Sequence, residues 1–175
     1  MHKVLIINHC LRIGGGEKLI YELAMFAKKN NIQPYILIFD NYEKEYYDPL
    51  LKELGAVIIR TRLTSIFKLR HPVKLMKALL WRLKLKYFVS EFKTIHIINL
   101  AHTEVLRGFI NHNDVYSWHI VNSIQYPGYK LPYRSEVFNN EEDTVVFINE
   151  YQEKEIEDQY GAIKTKKIFF KLFLN

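Results

Sequence analysis

Runs of apolar, largely β-branched residues alternate along the chain with segments whose apolar positions recur every three or four residues. Val4-Leu5-Ile6-Ile7, ending at Asn8, is a continuous apolar run of the buried-strand type. Leu19, Leu23, Phe26 and Ala27 then repeat at helical spacing, which predicts a helix with those four on its inner face. Tyr35 to Phe39 reads as a second strand ending at Asp40. Asp48-Pro49 predicts an N-cap followed by proline at the first helical position, Leu50, Leu51 and Leu54 form the inner face, and Gly55 stops the helix. Ala56 to Arg60 is the third strand.

The second half repeats the alternation. From Pro72 to about Phe88, the residues Val73, Met76, Leu80, Leu83 and Tyr87 step by three and four, so a long helix with those residues inward is expected. Ile95 to Leu100 is the fourth strand, Thr103 caps a helix carrying Leu106, Phe109 and Ile110, and Val115 to Ile120 is the fifth strand. Asn139 to Asp143 is a polar turn before the sixth strand, Thr144 to Ile148. Asn149 and Gln152 stand at capping-box spacing before a short acidic helix that Gly161 closes, and Ile168 to Leu174 is a final strand. Strands apolar throughout, separated by helices, imply an α/β domain with a doubly wound, mostly parallel sheet and helices on both faces.

With 175 residues and 49% apolar content, the chain is long enough for one domain with a substantial core, spanning 1–175, and too short for two. The apolar content excludes a disordered chain, and seven Gly with five Pro exclude fibrous classes. The first apolar run is too short for a signal-peptide core and no uncharged stretch is long enough to span a bilayer, so the expected location is cytoplasmic. Cys10 is the one cysteine and can form no intramolecular disulfide.

Charge changes the picture locally. The net charge of +6 resolves into nine Lys and Arg with no acid between Glu53 and Glu91, against −3 for the remainder. On the long helix a second stripe, Trp81, Leu85 and Phe88, lies among Lys74, Lys77 and Lys84. That stripe is the expected membrane-facing surface if the helix meets an anionic bilayer, giving peripheral attachment at the inner face of the membrane. The alternative is a helix covered on two sides by protein. The acidic stretch from Glu136 to Asp158 argues against nucleic acid as partner.

Ligands of such sheets bind beyond the carboxyl ends of the strands, which directs attention to the loop after the first strand. It reads Asn8-His9-Cys10-Leu11-Arg12-Ile13-Gly14-Gly15-Gly16-Glu17-Lys18. Gly14, Gly15 and Gly16 at a helix start allow close approach of a ligand, and the free N–H groups there favour a phosphate. The spacing matches neither a dinucleotide fingerprint nor a P-loop, although Asp40 lies at about the right distance for a ribose-binding acid. His119, at the end of the fifth strand, lies on the same sheet edge, as do His9 and His102 after the first and fourth strands. No Cys-x-x-Cys or His-Glu-x-x-His occurs, so no metal site is expected.

Gly14-Gly15-Gly16-Glu17-Lys18 followed by Leu23-Ala24 resembles the Gly-Gly-Ala-Glu-Arg and Leu-Ala segments near the N-terminus of family 4 retaining glycosyltransferases, two-domain enzymes of the GT-B fold. The resemblance continues through Leu51 to Gly55, the strand ending in histidine at Tyr116 to His119, and Val145 to Asn149 with Tyr160-Gly161 after it. Gly16 departs from the pattern, in which alanine is common. The resemblance implies the Rossmann-like, acceptor-side half of a GT-B glycosyltransferase, the C-terminal donor-binding domain being absent from these residues. It implies transfer of a sugar from a nucleotide-sugar donor to a glycan or lipid-linked acceptor, as in cell-surface polysaccharide synthesis, without cofactor or metal. Gly14, Gly15 and Gly16 would approach the donor diphosphate, His119 would contact the transferred sugar, and His9 and His102 would line the acceptor side. This half alone would be inactive. The alternatives are a non-enzymatic membrane-surface docking module and an NAD-dependent oxidoreductase using Asp40.

Overall fold

The computed structural model describes residues 2–39, 44–61, 72–98, 114–120, 131, 133 and 135–171; within 72–82 only the side chains of Met76 and Leu80 are described, and that of Glu136 is not. The expected helix at 103–110 therefore lies outside the described residues, as do Asp40 and His102. The elements are β1 (Lys3–Asn8), α1 (Gly15–Lys29), β2 (Gln33–Ile38), α2 (Tyr47–Glu53), β3 (Val57–Arg60), α3 (Pro72–Ser90), β4 (Thr94–Ile97), β5 (Asp114–His119), a short 3-10 turn (Ser135–Phe138), β6 (Thr144–Phe147), α4 (Tyr151–Tyr160) and β7 (Lys166–Phe169).

All seven strands run parallel in the order β3-β2-β1-β4-β5-β6-β7. Alternate residues face opposite ways along a strand, so the register sorts the core into two layers. Ile6, Ile36, Ile38, Trp118 and Val146 pack under α1 and α2 with Leu19, Ile20, Ala24 and Leu51. Leu5, Ile7, Leu37, Ile95, Ile97 and Val115 face the other way, against Leu85, Val89 and Phe92 at the end of α3. On that same second face Val145 and Phe147 meet Ile156 of α4 together with Val137, Phe138 and Ile163. Leu5, Ile6 and Ile7 lose all solvent contact, and burial of each such side chain is worth about 1.5–3 kcal/mol relative to leaving it exposed. This is a Rossmann-like, doubly wound fold, and the sheet order reverses between β1 and β4.

Local signals explain the element ends. Asn149 Oδ1 accepts from the N–H groups of Tyr151 and Gln152, both at 3.1 Å, while Gln152 Oε1 accepts from Ile148 and Asn149 at 2.8 and 3.4 Å. That is the reciprocal capping box the spacing predicts. Gly55 and Gly161, at φ 76 and 82, turn the chain out of α2 and α4 where a side chain would be strained. Asn31, at φ 57, does the same after α1, with Ile32 N–H donating to Ala27 O and Asn31 N–H to Lys28 O.

Three expectations are corrected. Phe26 is exposed, and Ile20 takes its place on the inner face of α1. The helix around Asp48 starts two residues earlier than expected, at Tyr47 in place of Pro49, and Asp48 reaches back to accept from Glu45 N–H at 2.8 Å instead of capping forward. On α3 the faces are interchanged. Leu85 is 2% exposed and Phe88 half-buried against Tyr35 and Phe92, whereas Met76, Leu80, Leu83 and Tyr87 are exposed. The helix carries apolar stripes on opposite sides, and Tyr35, Ile59 and Phe92 offer their packing surface to the Leu85 stripe. Leu85 and Phe88 therefore do not form an outward membrane-facing surface; the side chains of Lys74, Lys77 and Trp81 lie outside the described residues.

Candidate functional site

The glycine segment lies at the carboxyl end of β1, beside the point where the strand order reverses between β1 and β4. In open α/β sheets that position forms a crevice, because successive helices depart to opposite faces. Gly14 is extended and precedes the first turn of α1, and Lys18 N–H closes that turn on Gly14 O at 3.0 Å. A Cβ at Gly15 would meet nothing within 4 Å, so the backbone there is open to a ligand. At Gly16 the reason for glycine is internal: a Cβ would lie 2.8 Å from Ile120 Cδ1 and 3.6 Å from Ile98 Cγ2. Gly16 thus sets the start of α1 close against the ends of β4 and β5.

Glu17 fills the space beside Gly14. Its carboxylate folds back toward Gly14 and accepts from Asn8 Nδ2 at 3.3 Å and from Cys10 Sγ at 3.4 Å. A negative charge in the first helical turn is favourable for the same reason a bound anion is. Burial, and then the Glu17 carboxylate that accepts from it, pushes the Cys10 thiol above its ordinary pKa of 9.0, so it stays protonated and is a weak nucleophile.

A buried ionic cluster holds the loop from the other side. Glu45 Oε2 accepts from Leu11 N–H at 2.7 Å and from Arg60 Nη1 at 3.0 Å, and Arg60 Nη2 donates to Asp48 Oδ2 at 2.5 Å. Arg12 Nε lies 3.5 Å from Glu45 Oε1, and Tyr47 N–H donates to Leu11 O at 3.2 Å. The end of β3, the start of α2 and the ligand loop are thereby tied together. Sequence reasoning missed this cluster because Leu11, Glu45 and Arg60 are separated along the chain; the only local trace is the acid pair ahead of a short helix.

His119 ends β5, as expected, on the same sheet edge as the glycines, but its ring points to the opposite face, toward α4. It is fully buried, with Nδ1 3.2 Å from the Tyr133 hydroxyl and the ring edge-on to Tyr133 and Phe147. Burial lowers its pKa from 6.5 to about 4, so the ring is neutral at pH 7. Glu155 Oε2 lies 3.8 Å from Nε2, too far for a hydrogen bond. Tyr133 is among the residues that bury the His119 ring. Tyr133 is itself held through the Tyr160 hydroxyl, which accepts from Tyr133 N–H at 3.1 Å and donates to Leu131 O.

His9 is half-buried at the end of β1. A histidine not singled out by the sequence pattern, His96 on β4, accepts from Trp118 Nε1 at 3.1 Å and stacks on Tyr116 at 5.1 Å. Burial lowers its pKa to about 4. It lines a cavity of about 360 Å³ at the amino end of the sheet, bounded by Leu23, Phe26 and Tyr116. A second cavity of about 350 Å³ lies at the carboxyl ends of β6 and β7, between Tyr151, Phe169 and Phe170. Among the described residues no group of three or more His, Cys, Asp or Glu could hold a metal ion. No helix among them is long and apolar enough to cross a membrane.

The chain matches no protein-family model, and no curated protein is similar to it at a significant level.

Proposed function

We propose that this chain is the acceptor-side half of a retaining glycosyltransferase that takes its sugar from a nucleoside diphosphate donor. The observation that carries the reading is the open backbone at Gly15 in the first turn of a helix, set at the reversal of the sheet. The order of segments resembling family 4 enzymes supports it. In this reading the N–H groups of Gly15 and Gly16 receive the donor diphosphate, and Glu17 swings off Gly14 to admit it. His119 reaches the transferred sugar only after Tyr133 is displaced, so the sugar subsite forms on binding. His9 borders the acceptor side. A second domain holds most of the nucleotide, so turnover by these 175 residues alone is not expected. The acceptor is a glycan or a lipid-linked saccharide, and the reaction proceeds without a metal.

The test is ligand-induced change at the loop. Nucleoside diphosphate sugars at millimolar concentration should shift the backbone NMR signals of Gly15, Gly16 and Ile120, and Gly15→Glu, which adds a negative side chain at an open position, should abolish those shifts. Signals moved by NAD and not by any nucleoside diphosphate sugar would overturn the reading. Full turnover by the chain alone would overturn its assignment as half of a catalytic unit.

A further inference from the structure

Met76, Leu80, Leu83 and Tyr87 lie on one side of α3 and are 67, 56, 58 and 75% exposed. At 100° per residue they fall within about 60° of one another, and eleven residues of rise make the stripe about 17 Å long. The opposite side of the same helix is the core stripe of Leu85 and Val89. Exposed Lys84 and Lys86 sit between the two stripes, on either side of the apolar one. No acidic residue lies between Glu53 and Glu91, so every charged residue of α3 itself is basic.

We infer that the outer face of α3 docks on an anionic lipid bilayer, lying in the interface with Leu80, Leu83 and Tyr87 below the headgroups. Four large apolar side chains in line on one helix face, each more than half exposed, leave apolar surface in water. Flanking lysines select an anionic surface, since each lysine near such a bilayer adds attraction that salt weakens. A second copy of this chain is a poor occupant, because facing helices would bring two acid-free, cationic segments together. The helix lies on the membrane rather than through it, since its other face is built into the sheet. This inference is independent of the glycosyltransferase reading and stands or falls on lipid binding alone.

The experiment is co-sedimentation of the whole chain with vesicles of phosphatidylcholine alone and of phosphatidylcholine mixed with phosphatidylglycerol. Binding is expected to the mixed vesicles only and should decline as salt is raised. Leu83→Glu and Leu80→Glu should each reduce the vesicle partition coefficient by about tenfold or more, and Leu83→Gln, which removes apolar area without adding charge, should reduce it in the same direction. Both positions being exposed, circular dichroism and melting of the three variants should match the parent. Absence of binding to the mixed vesicles, or binding that the substitutions leave unchanged, overturns the inference. So does equal binding to both vesicle types. A concentration-dependent dimer that Leu83→Glu dissolves, without lipid binding, would reassign the face to self-association.

Discussion

Gly16 and Ile120 meet so closely that a Cβ at position 16 would stand 2.8 Å from Ile120 Cδ1. That contact fixes how near the glycine loop lies to the end of β5, and so the width of the crevice between them. Two substitutions probe it. Gly16→Ala adds one methyl against the free end of an isoleucine side chain that can rotate, and recovers about 1 kcal/mol of helix propensity. Its net effect on urea-unfolding stability should stay within about 1 kcal/mol. Gly16→Val adds further methyls near Ile98 and Ile120 and should cost about 1–3 kcal/mol. Equal losses for the two variants would show that the constraint is backbone and not the Ile120 side chain.

His119 and His96 give the fold a defined acid sensitivity. Each has a folded-state pKa of about 4 against 6.5 for the free side chain, so between those values the unfolded chain binds more protons. Stability is therefore intact above pH 6.5 and falls as the pH drops toward 4, by up to about 3 kcal/mol per histidine. Urea titrations from pH 7.5 to 4 should show this slope. His119→Gln should flatten it by roughly half, with His96 supplying the remainder. An unchanged slope in His119→Gln would mean that His119 is protonated in the folded protein and paired with Glu155.

Breaking the buried ionic cluster should be expensive. Arg60→Ala leaves Glu45 and Asp48 without their shared cation and should cost about 3–5 kcal/mol. Glu45→Gln loses charge but keeps an acceptor for Leu11 N–H, and should cost about 1–3 kcal/mol. Because the residues act together, the double variant should fall short of the sum by about 1 kcal/mol or more. Hydrogen exchange of the Leu11 amide should accelerate in Arg60→Ala, reporting a loosened ligand loop.

The capping box allows a sharper comparison. Asn149→Ala removes an acceptor from two amides at a partly exposed helix start and should cost about 1 kcal/mol. Gln152→Ala strands two amides beside a fully buried side chain and should cost more, about 1–3 kcal/mol. Thermal melts of the pair settle the ranking.

What the sequence made legible follows the range of the interaction involved. The Asn149–Gln152 box and the stop at Gly161 were readable because their partners lie within one helical turn. The order of strands and helices was readable because fully apolar runs of strand length have few other uses in a chain of this size. The orientation of α3 was not, since Leu85 and Leu83 sit on opposite apolar stripes, and only Tyr35, Ile59 and Phe92 decide between them. Likewise, His119 was legible as a strand-end residue on the ligand edge, but not as a buried partner of Tyr133, because that depends on a segment returning from 14 residues away. The Glu45–Arg60 pair joins elements whose proximity exists only once the sheet has formed.

Along β7 every residue from Lys166 to Phe169 is exposed, and among the described residues no strand covers its outer side. An open parallel edge carrying Ile168 and Phe169 is a template on which further sheet could grow. Lys166 and Lys171 bracket the apolar run at its two ends, and Lys167 is held back by Glu153 and Glu157 of α4 at 2.5 and 3.1 Å. These lysines place positive charge along the open edge, and the repulsion with which they oppose edge-to-edge pairing weakens as ionic strength rises.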